Sequence, residues 1–170
     1  MAMKGAVRTQ LQGWLSGGRK VVILCIGSEI RTDDSFGPVL AEKLKQTVPR
    51  DVTVINGGTS PENYTGVIRR LAPTHVLLVD TAEMGLTPGE SRLVKADEIE
   101  GFAISTHAPP LGVIAEYLSV ASRAKVALLA VQPRSLEFGD GLTDDLKNAV
   151  NVIAEALIEV LAKRHDQIGH

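Results

Sequence analysis

With 170 residues, 44% of them hydrophobic and 22% charged, the chain has the size and balance of one folded domain, which excludes disordered and collagen-like classes. Eighteen basic against 20 acidic residues leave a formal net charge of −2 and no run of Lys or Arg, so nucleic-acid binding is not expected. A single cysteine, Cys25, excludes an internal disulfide, and no apolar run reaches the roughly 20 residues of a membrane helix or has the form of a signal peptide, so a cytoplasmic protein without membrane insertion is expected.

In chain order, "VVILCIG" (21–27) reads as a strand buried on both faces. Residues 35–47 read as a helix, with Phe36, Leu40 and Leu44 on one side and Pro38 in its first turn. "DVTVIN" (51–56) alternates apolar and polar residues, the mark of a half-exposed strand near an edge. "GGTSPEN" (57–63) starts a helix, with Ser60 as expected N-cap and Pro61 at the first helical position. "THVLLVD" (74–80) is a second buried strand, and "SRLVKADEI" (91–99) a weaker, charged one. A helix over 109–122 turns Leu111, Ile114 and Leu118 inward, and "KVALLAVQP" (125–133) is a further buried strand. The last helix, about 143–164, buries Leu146, Val150, Ile153, Leu157 and Leu161, and 165–170 form a tail.

This order, βαβαβ–β–αβα, predicts an α/β fold: one domain over 1–170, a three-layer sandwich with a mostly parallel twisted sheet of about five strands and helices on both faces. No hydrophobic stripe is left over from the predicted core, so a monomer is expected. Ligands in such folds lie beyond the carboxyl ends of the strands. The first of those ends carries "GSEIRTDDSFG" and the third "DTAEMG", while "ISTHAPPLG" leads into the helix over 109–122. Carboxylates and one histidine therefore converge on one edge, a donor set that suits a divalent cation such as Ni, Zn, Fe or Mn. The candidates are one of Asp33, Asp34 or Glu29, then Asp80, then His107.

Plainer roles compete. Carboxylates at a helix start are commonly caps or dipole partners, which fits Asp33. Asp80 closes an apolar strand, where half-burying a charge is costly without a partner. His107 gains weight from the stiff "HAPP" backbone behind it. His75, His165 and His170 are assigned no function, and Cys25 reads as a small buried hydrophobe. No Gly-x-Ser-x-Gly elbow, GxGxxG, HExxH or CxxC occurs.

"ILCIGSEIRTDDSFGPVLAEKL", with "INGGTSPEN", "HVLLVDTAEMGLTPGE", "STHAPPL" and "LAVQP", resembles the hydrogenase maturation endopeptidases over roughly residues 20 to 160. The family pattern is a strand, then G-N/S-x-x-x-x-D-D/E-x-x-G, then a helix. "GG", "PEN" and "MGLTPGE" resemble the branch that processes large subunits of membrane-bound, hydrogen-evolving [NiFe] hydrogenases. The resemblance implies a peptidase that removes the C-terminal extension of a [NiFe] hydrogenase large-subunit precursor after nickel insertion. It implies Asp34, Asp80 and His107 as catalytic and metal-contacting residues, and nickel carried by the precursor with no organic cofactor. It leaves Asp33 as a cap or orienting neighbour and Glu29 as an exposed rim residue. Residues 1–18 lie outside it and are expected to extend the chain.

Peptide hydrolysis needs a polarised carbonyl and an activated water, and a divalent metal supplies both. Ligation and general-base roles stay open between Asp34 and Asp80. Two alternatives remain: a nucleoside- or phosphate-handling enzyme, which the acidic "EIRTDD" disfavours, and a nickel-sensing maturation chaperone that docks the same precursor without cutting it.

Overall fold

The computed structural model describes residues 2–101, 103, 104 and 110–169. Among these residues five α-helices and six strands follow one another: α1 (Ala2–Trp14), β1 (Val21–Ile26), α2 (Phe36–Leu44), β2 (Val52–Gly58), α3 (Thr65–Leu71), β3 (His75–Glu83), β4 (Ser91–Lys95), β5 (Ala103–Ile104), α4 (Leu111–Ser122), β6 (Lys125–Val131) and α5 (Asp144–Ile168). The main sheet has the order β2-β1-β3-β6-β4, with the first four strands parallel and β4 antiparallel to β6. β5 adds a short antiparallel pairing to the end of β3. The chain steps from β1 outward to β2 and returns across β1 to β3. The crevice at this reversal of direction lies between the exits of β1 and β3.

Alternation along β1 and β3 splits the core in two. Val21, Ile23 and Cys25 of β1, with Leu77 and Val79 of β3, face α1, α2 and α5. Val22, Leu24 and Ile26, with Val76 and Leu78, face α3 and α4. Two buried faces explain why these strands read as continuous apolar runs, and the three layers match the fold expected. Burial pushes the Cys25 thiol up to about 12, in keeping with a packing role.

Several boundaries differ from expectation. β3 runs three residues past Asp80, because β5 gives its last residues a ladder partner. The 91–99 segment is a strand only to Lys95 and then a 3-10 turn. Pro61 opens a 3-10 turn ahead of α3, and Ser60 makes no side-chain cap. α5 continues to Ile168, since Arg164 is buried and bonds Gly18 O and Asp51. Residues 2–14 form α1, whose Val7 and Leu11 join the core against α5. On α4, Val113, Tyr117 and Val120 recur at helical spacing and are exposed, so an apolar stripe does remain outside the core.

Candidate active site

The loop from β1 to α2 is shaped by two close approaches. A Cβ at Gly27 would stand 1.8 Å from the carbonyl oxygen of Asp34, and one at Gly37 would stand 2.3 Å from that of Ile26. Only glycine lets the loop fold back on the strand and the helix press against it. The two glycines bounding "GSEIRTDDSFG" are therefore packing devices and not a phosphate cradle.

The two adjacent aspartates of this loop do different things. Asp33 is fully buried and, among the described residues, accepts hydrogen bonds from four donor groups. Its Oδ2 takes the amides of Arg134 at 2.8 Å and Ser135 at 3.0 Å. Its Oδ1 takes the amide and hydroxyl of Thr143, both at 2.8 Å. Thr143 is the residue before α5. Asp33 thus ties the first loop to the segment 134–143 and to the start of the longest helix. The same two segments also meet through Thr32 N to Gly139 O, Gly139 N to Ile30 O, and the Arg31 guanidinium 4.6 Å over the Phe138 ring.

Asp34 is 3% exposed. Its Oδ2 accepts the Ser28 amide at 3.0 Å and its Oδ1 the Thr81 hydroxyl at 3.1 Å. Among the described residues neither oxygen forms an ion pair. A buried carboxylate held only by neutral donors is expensive, and each oxygen keeps a lone pair for another partner. Asp80, also fully buried, accepts the Thr81 amide on Oδ1 at 2.8 Å. Thr81 therefore holds both carboxylates, one through its amide and one through its hydroxyl. This places Asp34 and Asp80 together at the crevice between the exits of β1 and β3. His107, the third expected member, lies outside the described residues. Among the described residues no three His, Cys, Asp or Glu side chains gather around one point. Glu29 is exposed on the rim.

The sequence reading did not mark Thr81 or Gln132. Gln132 is buried after β6. Its Oε1 accepts the Met84 amide at 2.7 Å and its Nε2 donates to Glu83 at 2.9 Å, which fixes the loop leaving β3. A polar residue at the end of an apolar strand was the signal available for both, in "VDT" and "AVQP".

Comparison with known proteins adds an independent line. A family model described as hydrogenase maturation protease matches residues 38–160, a span that takes in Asp80 and His107 and begins after Asp34. The chain is 39% identical over 137 residues to the Hydrogenase 3 maturation protease of Escherichia coli strain K12, covering 80% of this chain and 87% of that protein. The crystal structure of the [NiFe] hydrogenase maturation protease HycI from Thermococcus kodakarensis KOD1 superposes with a TM-score of 0.84 at 33% identity, over 90% of this chain and 99% of that one. The hydrogenase maturating endopeptidase HybD of Escherichia coli superposes with a TM-score of 0.70 at 25% identity, over 87% and 93% of the two chains. Among the described residues no helix is long and apolar enough to cross a membrane.

Proposed function

This chain belongs to the hydrogenase maturation protease family, and from that premise we propose that it is an endopeptidase removing the C-terminal extension of a [NiFe] hydrogenase large-subunit precursor once nickel is in place. The large subunit we have in mind is of the hydrogen-evolving kind, in line with the segments "PEN" and "MGLTPGE" and with the similarity to a Hydrogenase 3 maturation protease. Nickel enters as part of the substrate, held by the precursor. Asp34, Asp80 and His107 are its contacts on the enzyme side. The observation that carries this reading is Asp34: a buried carboxylate, facing neutral donors only among the described residues and tied through Thr81 to a second carboxylate.

The chemistry follows from that arrangement. Ser28 and Thr81 donate to Asp34 and fix its direction. The precursor's metal polarises the scissile carbonyl or its water. A carboxylate of the pair takes the water's proton as the oxygen attacks the carbonyl carbon. The proton passes to the leaving amide nitrogen as the C–N bond breaks. Carboxylate and imidazole donors fit a borderline cation without the grip of a thiolate cage, so the enzyme reads the nickel and leaves it with the hydrogenase.

The test is an intact-mass measurement on nickel-loaded precursor before and after incubation. The expected result is loss of the C-terminal extension with wild type, and intact precursor with Asp34→Ala, Asp80→Ala or His107→Ala variants that keep the wild-type circular dichroism. Nickel-free precursor is expected to stay uncut. Wild-type rates in all three variants would refute the site. A mass that never changes, with the precursor nonetheless bound, would mean a chaperone in place of a protease.

A further inference from the structure

Beside Asp34 a cleft of about 470 Å³ opens between the exits of β1 and β2. Ser28, Glu29 and Ile30 line it from the first loop, Gly57 and Gly58 from the end of β2, and Tyr64 from the turn ahead of α3. Ser28 joins the cleft to the site, because its amide donates to Asp34 Oδ2. Building on the endopeptidase reading, we propose that the precursor's C-terminal segment lies in this cleft as an extended chain, adding to the free edge of β2 and placing a lysine or arginine against Glu29.

Three features of the molecule lead to that occupant. First, β2 ends the sheet order and pairs with β1 on one side only; among the described residues no strand meets its outer side. In a parallel ladder alternate amides and carbonyls point away from the partner. From Val52 to Gly58, "VTVINGG", no proline or charge blocks that edge. Such an edge is a template for an added strand, with the main chain supplying affinity. Second, Gly57 and Gly58, which line the cleft at the end of β2, present bare backbone. Gly58 has φ +53°, and a side chain built on it would meet open space. A peptide therefore approaches the main chain closely there. Third, among the described residues Glu29 is the only charged side chain lining the cleft, is exposed, and forms no ion pair. A polypeptide satisfies all three features, with backbone for the edge and a basic side chain for the carboxylate. Ile30, 62% exposed in the same loop, offers an apolar contact next to it.

The experiment uses the full chain and a fluorescently labelled synthetic peptide spanning the precursor's cleavage region, read by anisotropy. Saturable binding is expected, weakened about fivefold or more in Glu29→Lys and less in Glu29→Gln. Peptides with each Lys or Arg in turn replaced by Glu should include one that Glu29→Lys binds better than wild type does. Amide shifts on peptide addition should concentrate on β2 and residues 57–58. Absence of saturable binding, indifference to the charge at Glu29, failure of every charge swap, or shifts elsewhere would each overturn the proposal. Cleavage is measured separately. Precursor left uncut by an enzyme that shows this Glu29-dependent binding refutes the endopeptidase reading alone. Precursor cut normally without that dependence refutes the peptide cleft alone.

Discussion

At Asp33 the carboxylate receives the amides of Arg134, Ser135 and Thr143 and the Thr143 hydroxyl, whereas Asp34 receives one amide and one hydroxyl. Among the described residues Asp33 is saturated by its own fold, and Asp34 has acceptor capacity left. Replacing Asp33 by Ala leaves three buried or half-buried amides without acceptors, each costing about 1–3 kcal/mol. We expect Asp33→Ala to lose about 3 kcal/mol or more in urea unfolding, while Asp34→Ala stays folded. Equal stability of the two variants would contradict this division. Apart from the family resemblance, nothing local in the sequence separates the two, which are neighbours of one type in one loop. The pattern "TDDSFG" offers a carboxylate pair, but which member meets residues 134–143 depends on a contact about a hundred positions away.

α1 is the element the sequence reading left as a bare extension. Val7, Leu11 and Leu15 recur at helical spacing and are buried, so the signal was present. Gly5 and Gly13 and an even mix of polar residues diluted it, and the partner surface on α5 is more than 140 residues distant. Lys4 and Arg8 also reach Glu155 and Glu159 on α5. These pairs are exposed and screened, so packing carries the attachment. Leu11→Ala should cost about 2–5 kcal/mol through the cavity it leaves. A drop in the urea midpoint of that size identifies α1 as part of the domain; an unchanged midpoint identifies it as a dispensable arm. β3 illustrates the same limit in reverse. Its apolar run fixed its start, but its last two residues, Ala82 and Glu83, find their ladder partner in β5.

Over the whole molecule the two poles of the sheet differ in chemistry. The carboxyl end holds Asp34 and Asp80, and the opposite pole holds His75 against the edge of Trp14, with ring centroids 5.1 Å apart. Burial, then the nearby Lys125 charge, lowers the His75 pKa below the ordinary 6.5. The unfolded chain therefore takes up a proton that the folded chain resists. Stability is full above pH 6.5 and falls as the pH drops through that value toward the folded pKa. The urea midpoint should decline over that window, and His75→Gln should flatten the decline; parallel profiles would assign the acid sensitivity to other groups. By itself the sequence determined the layered α/β architecture, because doubly buried strands and one-faced helices write their periods into the chain. It also determined which loops meet, because strand ends in a parallel sheet share one edge. Only the tertiary structure decided that Thr81 joins Asp34 to Asp80, that Asp33 ties the first loop to residues 134–143, and that the N-terminal residues belong to the core. Each of these depends on atoms brought together from distant parts of the chain, and no local period records such a meeting.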